Sequence, residues 1–415
     1  MMPVLGIAAM VALCLAFSTD RKAALKRWPL FLWGFGLQVA LAILALNPKV
    51  TDKLYTDRFF QWFNDAFVAL VNCTNAGTSF VFGDAAQHGY LAFTVLPTIM
   101  FFSALMAILY HYGIMQRVVR ALAWIMMITM KTSGAETLSA SANIFVGQTE
   151  APLMVRPFIN RMTNSELMTV MTGGFATVAG GVMAAYVGML NGKVPGIAGH
   201  LLTASLMSAP AALLFGKLFV PETETPETLG VVDVEYKPES SNMLDAVTLG
   251  TRDGLMLYLN VLAMLIVFVA LVAFGDLILH GGASIFMAKD EIPDWWNLRS
   301  LIGFAFAPFA YLMGVTDPHD ALLVGRLLGI KMLVNEFVAY SEMSAIAETL
   351  SPRAQIIAAY ALCGFANFGS IGIQIGGLAV MAPDRRTDLS RLALRAMFAG
   401  TFACMSTACI AAIIL

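Results

Sequence analysis

Apolar residues dominate this chain in long blocks that recur from end to end, with charges gathered in short clusters between them. Many of the blocks approach the roughly 20 residues that cross a bilayer core as a helix. The pattern predicts helices near 3–17, 28–46, 90–110, 166–190, 197–216, 254–276, 354–381 and 396–415, with shorter apolar segments at 119–130 and 299–313. Two stretches, 134–160 and 318–350, break the pattern. Within them, 134–150 and 318–336 carry too many Ser, Thr, Gly, Asp and Asn residues to face lipid. Segment 52–83 sets Tyr55, Phe59, Phe60, Trp62, Phe63 and Phe67 among scattered charges, a mixture that suits a helix lying in the membrane interface. Residues 220–248, rich in Pro, Glu and Thr, form a solvated loop and the one candidate linker.

Composition supports a membrane reading. The chain is 59 % hydrophobic and 13 % charged, with a mean hydropathy of +0.75. A soluble domain carries about a quarter charged residues. The formal net charge of −2 offers no basic field for nucleic acid. Residues 1–17 have neither a basic leader nor a small-residue cleavage site, so they are expected to span rather than to be removed. Cys14, Cys73, Cys363, Cys404 and Cys409 fit neither a zinc motif nor a disulfide framework. Among the five histidines there is no HExxH and no pair at helical spacing, which argues against a metalloenzyme.

Arginine and lysine orient the spans. Loop 18–27 holds Arg21, Lys22, Lys26 and Arg27, and loop 382–395 holds Arg385, Arg386, Arg391 and Arg395, so both are expected in the cytoplasm. Counting from there puts the N-terminus outside. Segment 134–160 then enters and leaves from the cytoplasmic face, and 318–350 from the outer face. These two segments carry nearly the same motif. Gly147-Gln148-Thr149-Glu150 is followed by Gly174-Phe175-Ala176-Thr177, and Val334-Asn335-Glu336-Phe337 by Gly364-Phe365-Ala366-Asn367. A carboxylate at membrane depth is costly and usually marks a substrate or ion pathway. Corresponding interrupted helices in two halves point to the binding site of a secondary transporter.

The expected fold is therefore an all-α polytopic membrane protein. It has about eight transmembrane helices and two re-entrant hairpins of opposite orientation. Residues 1–112 are mainly scaffold helices with the interfacial segment. Residues 113–219 form a first inverted repeat (hairpin 134–160, helix 166–190 interrupted at Gly-Phe-Ala), and 220–248 a cytoplasmic loop. Residues 249–298 supply a scaffold helix and a periplasmic connection, 299–383 the second repeat (hairpin 318–350, interrupted helix 354–381), and 384–415 the last span. Pro152 fits the first turn of the hairpin's second helix, where its missing N–H costs nothing.

At these motifs the chain resembles the concentrative nucleoside transporters. The likeness rests on Gly147-Gln-Thr-Glu-Ala-Pro-Leu153, Arg156-Pro-Phe-Ile159, Asn335-Glu-Phe-Val-Ala-Tyr340 and Gly364-Phe-Ala-Asn-Phe368, and it extends over essentially the whole chain. The resemblance implies a homotrimer in the bacterial inner membrane, with a static scaffold and a mobile domain that moves like an elevator. It also implies uptake of nucleosides, uridine and its relatives, driven by sodium as the coupling ion.

The residue roles follow partly from chemistry. Gln148 can donate and accept at once, matching the amide edge of a base, with Thr149 and Glu150 beside it. An ionised Glu336 is an acceptor-only fork suited to a ribose diol. By resemblance, Val182 and Phe365 wall the base, and Asn367 and Ser370 join Glu336 at the ribose. The family's sodium site matches the side chains of Asn143 and Thr177 and the backbone oxygens of Asn143, Val146 and Val178. By resemblance to a close relative, serine is expected where this chain has Thr177, and a second serine where it has Gly369. The plain alternatives are helix-to-helix hydrogen bonds for Gln148, Thr149, Asn367 and Ser370, and a helix cap for Asn143. For the glutamates the alternative is an ion pair with Arg156 or Lys331.

Three rival classes fare worse. An intramembrane enzyme would need a nucleophile, and neither Gly-x-Ser-x-Gly nor a histidine lies near either glutamate. A channel would repeat one pore motif around an axis, whereas these halves invert. A proton-coupled carrier of nucleosides or nucleobases is the nearest competitor within transport.

Overall fold

The computed structural model describes residues 1–47, 49–51, 56–86, 91–230, 240–286, 288, 291–293 and 295–415. Residues 52–55 of the expected interfacial segment, Tyr55 included, and 231–239 of the expected loop lie outside the described residues. Among the described residues the regular structure is helical, with one isolated bridge between Ser133 and Leu229.

The first part of the chain supplies α1 (Met2–Ala16), α2 (Trp28–Leu46) and α3 (Thr56–Phe82). Both α1 and α2 carry proline in the first turn, where no amide is lost. Next come α4 (Thr98–His111) and α5 (Ile114–Met130). The helix expected at 90–110 is two pieces, because Pro97 caps α4 and separates it from a short turn at Leu91–Thr94. The first hairpin begins with α6 (Gly134–Ala142). Its returning arm is only a 3₁₀ turn, Ala151–Val155 with Pro152 in its first turn, and one helical turn, Arg156–Ile159. The interrupted helix is α7 (Asn164–Ala176) and α8 (Gly180–Leu190), followed by α9 (Ile197–Phe219).

The second half repeats the plan. After α10 (Met243–Ala283) and α11 (Leu298–Leu312) come hairpin arms α12 (Pro318–Leu333) and α13 (Glu336–Ile346), then the broken pair α14 (Pro352–Leu362) and α15 (Phe368–Met381), and finally α16 (Arg386–Ile414). Two helices begin earlier than their apolar cores. α10 starts at Met243, inside the segment expected as loop, because Asn242 caps it by accepting from Asp245 N–H. α16 starts at Arg386, so Arg391 and Arg395 ride on its first turns.

Among the described residues, seven helical stretches are long and apolar enough to cross a membrane. They divide by burial. In the most apolar 18-residue stretch of each, 94 % of Asn164–Leu190 and 89 % of Ile197–Phe219 is buried, against 0 % for Met243–Ala283 and 22 % for Trp28–Leu46. α7 and α9 pack against α16 as the inner core, and α10 presents its apolar surface outward. The segment expected in the interface is one long helix, and Arg58–Ala85 has the lowest hydropathy of the seven stretches, 1.3.

Close helix crossings use small residues. Gly250 and Gly254 of α10 lie on α4, where a Cβ would come within 2.6 Å of Ser103 O or Met100 Cα. Gly325 of α12 lies equally close to the Ala307 backbone of α11. Such small-xxx-small faces let membrane helices approach and gain packing that lipid cannot match.

Candidate functional site

In each half the hairpin meets the broken helix, through Gly180 N–H on Phe145 O in the first and Lys331 Nζ on Ala361 O in the second. In the first half, α6 runs from a capping box, with Ser133 and Glu136 satisfying each other's backbone amides, to Asn143 at its C-terminus. Asn143 is fully buried. Its Nδ2 donates to Ser139 O at 3.0 Å, while its Oδ1 has no hydrogen-bond partner. Gly147 N–H donates to the Glu150 carboxylate at 2.5 Å, so that side chain folds back over its own turn. Glu150 also lines a cavity of about 230 Å³ with Val146, Ser103, His111 and Asp253. Gln148 is buried with its Oε1 unpartnered.

The first break follows Gly174-Phe175-Ala176 rather than falling within it. α7 continues through Ala176, and the chain turns extended at Thr177. The Thr177 hydroxyl donates to Gly173 O at 2.9 Å, and Gly180 N–H donates to Phe145 O at 2.9 Å, tying the start of α8 to the hairpin tip. Asn143, Thr177 and Val178 are buried and Val146 half-buried around this break.

In the second half the motif itself forms the break. α14 stops at Leu362, and Gly364 takes φ +155°, a conformation that side chains disfavour. A Cβ there would also come 2.8 Å from Phe175 O, so the two Gly-Phe-Ala motifs meet at this glycine. Glu336 opens α13 and is 5 % exposed. Tyr186 O–H donates to its Oε1 at 3.1 Å and Asn367 Nδ2 to its Oε2 at 3.0 Å. Asn367 Oδ1 simultaneously caps α15 by accepting from Ser370 N–H at 2.8 Å. One end of the Asn367 amide thus caps α15 while the other makes the helix-to-helix hydrogen bond to the carboxylate, which is the plain reading of this residue. Ser370 is buried beside it and Phe365 is half-buried in the break.

The face of α15 that begins with Asn367 and Ser370 continues to Gln374 and Gly377, which meet the first hairpin. Gln374 Nε2 donates to Met171 O at 3.0 Å and lies against Gly174 together with Gln148; Gly377 packs on Thr149. Elements of both repeats thereby enclose one polar layer inside an apolar protein. Neither alternative ion pair forms among the described residues: Arg156 is exposed, and Lys331 Nζ donates to Ala361 O at 2.9 Å.

Two buried polar residues of this layer were invisible to motif reading. Tyr186 sits one turn after Val182 in an apolar helix, its ring stacked on Tyr340 at 4.2 Å. Gln374 is a lone amide in the apolar run of α15, and its isolation there was the one available signal.

Profiles of the sodium-dependent nucleoside transporters cover the chain nearly end to end. The "Na+ dependent nucleoside transporter N-terminus" matches residues 5–85, "Nucleoside recognition" 92–193 and "Na+ dependent nucleoside transporter C-terminus" 200–412. The chain belongs to the concentrative nucleoside transporter family. It is similar to solute carrier family 28 member 3 of Homo sapiens, with 43 % identity over 403 residues, covering 93 % of this chain and 56 % of the human protein. It is 41 % identical to an uncharacterized transporter of Bacillus subtilis, covering 98 % and 97 % of the two chains. This family member thus spans little more than half the length of the human relative, and nearly the whole of the bacterial one. Among solved structures, it resembles the transporter CNTnw in an inward-facing substrate-bound state (38 % identity, 100 % and 97 % coverage, TM-score 0.86). A CNTnw variant in an outward-facing state resembles it with a TM-score of 0.89 at 39 % identity, covering 100 % and 97 %.

Proposed function

We propose that this protein is a secondary active transporter that imports nucleosides together with sodium by elevator-type alternating access. The observation that carries the reading is the buried Glu336, held by Tyr186 and Asn367 where the two broken repeats meet. A carboxylate kept from water with fixed donors on its flanks is prepared to accept further donors, and a ribose diol supplies two. Gln148, with its free Oε1, Thr149 and Glu150 read the base, while Val182 and Phe365 wall it and Ser370 completes the ribose side. Sodium-coupled relatives support the ion: the mouse relative, 39 % identical, is named a sodium/nucleoside cotransporter.

The first break suits that ion. A hard cation takes oxygen ligands, and Asn143 Oδ1 is a fully buried oxygen without a partner. We assign sodium to Asn143, Thr177 and the backbone oxygens of Asn143, Val146 and Val178. Bound there, the ion supplies positive charge at the C-terminal end of α7, where the helix dipole is negative.

Fold analogy supports a homotrimer in a bacterial inner membrane, with α3 in the interface and α4, α10 and α11 in the scaffold. The deciding experiment is uridine uptake into proteoliposomes with and without an inward sodium gradient. The expected result is accumulation only with sodium. Equal accumulation driven by a proton gradient alone would establish proton coupling instead.

A further inference from the structure

The two repeats differ in one respect that the shared motif conceals. Residues 132–155 and 162–192, which form the first hairpin tip and broken helix, contain no Lys or Arg. The second hairpin carries Lys331 on α12, five residues before Glu336. Lys331 is 3 % exposed, and among the described residues no carboxylate lies within 4 Å of it. An ammonium removed from water without a paired anion is costly and needs compensation from its surroundings.

That compensation comes from the end of a half-helix. Lys331 Nζ donates to Ala361 O at 2.9 Å, in the last turn of α14. The helix stops at Leu362, so this carbonyl has no helical amide four residues on, and it lies at the negative end of the helix dipole. The neighbouring end carbonyls are also taken: Tyr340 O–H donates to Ala359 O at 2.7 Å and the Cys404 thiol to Cys363 O at 3.0 Å. The same thiol reaches Ala176 O, the last carbonyl of α7, at 3.5 Å, so one side chain touches both half-helix ends. At the α14 end a cation is covalently present. At the α7 end there is none, and the buried Asn143 Oδ1 stands unpartnered.

We propose that the Lys331 ammonium is the second repeat's built-in cation, doing at that helix break what a mobile sodium ion does at the first, so that transport needs one mobile ion per nucleoside. Lys331 is a positioning residue. Its charge holds the end of α14, which fixes the break carrying Phe365 and Asn367, and Asn367 in turn holds Glu336. A cavity of about 580 Å³ lies against Lys331, lined by Phe306, Met332, Ala366 and Phe402, with room for a small ligand beside the ammonium.

This inference rests on the transport reading above, and the experiment separates the two. Wild-type protein in proteoliposomes is first assayed for sodium-driven uridine uptake; its absence refutes the transport reading itself. With uptake in hand, the charge moved per nucleoside is counted in wild type, and one charge is expected. Two charges would overturn the proposal without any variant. Lys331→Gln keeps an N–H donor, on a side chain one bond shorter, but not the charge. It is expected to remain monodisperse and to lose at least about tenfold in uptake rate, the scale of one charge-assisted hydrogen bond, while Lys331→Arg retains most of the rate. Lys331→Ala is expected to regain several-fold in rate with propylammonium and not with propanol. A Lys331→Gln protein that matches wild type would overturn the proposal. So would equal loss in Gln and Arg variants with no propylammonium effect on the Ala variant.

Discussion

At the scale of single residues, the carboxylate of Glu336 is the group whose chemistry is most exposed to test. It already accepts from Tyr186 and Asn367, so a neutral amide in its place keeps one acceptor oxygen of two and no charge, which weakens the ribose contacts. A hydrogen bond to a charged partner is worth about 1.5–3 kcal/mol, so Glu336→Gln should lower uridine affinity roughly ten- to hundredfold by calorimetry. A dideoxy analogue should lose much less, and equal losses would remove Glu336 from the ribose. Asn143 bears on the ion alone. Asn143→Ala deletes the unpartnered Oδ1 and should raise the sodium concentration for half-maximal uptake while leaving the order of preferred nucleosides unchanged. Linkage demands reciprocity: wild-type nucleoside affinity should be tighter in sodium than in choline.

At the scale of elements, the hairpins stand on buried polar anchors. The base of the first hairpin is held by Lys217 of α9, which pairs with Glu136 at 2.9 Å and Glu222 at 3.5 Å, all nearly inaccessible to solvent. Ser133 and Thr163 hydroxyls donate to Glu166 and Glu222 beside them. Taking away the cation leaves buried anions uncompensated, which costs about 3–5 kcal/mol. Lys217→Met should therefore lower the melting temperature in detergent by several degrees, and adding Glu136→Gln should recover part of the loss. The second hairpin is braced differently, by Arg326 and Arg299 converging on Glu342. The capping signals behind these elements were readable in sequence, since Ser133 with Glu136 and Thr163 with Glu166 have the capping-box spacing. The shortness of the first hairpin's returning arm was not, because Pro152 and Pro157 permit a helical start without saying how soon the turn ends.

At the scale of the whole molecule, the proposed cycle moves charge. One sodium carried with a neutral nucleoside gains about 2.3 kcal/mol per 100 mV of inside-negative potential. That alone sustains a gradient on the order of fiftyfold, so imposing such a potential should accelerate uptake. Single cysteines near positions 147 and 335 should change reactivity with sodium and nucleoside and be protected by substrate. A cysteine replacing Gln61, exposed on α3, should not. Labelling indifferent to both ligands would leave the elevator movement without support.

Hydropathy, charge clusters and the repeated Glu and Gly-Phe-Ala motifs determined, from sequence alone, a helical membrane protein with two hairpins, and they named candidate residues of its polar layer without Tyr186 or Gln374. Those features are legible because lipid forces every backbone group into helices and makes each buried polar residue costly. Tertiary structure alone decided which polar atoms find partners. It joined Tyr186 to Glu336 across 150 residues of chain, set Gln374 on Met171 across 203, and sent Lys331 to Ala361 instead of to Glu336. Such pairings are fixed by how helices of the two repeats cross at Gly364, where the approach of two backbones, not the local preference of either segment, selects the geometry.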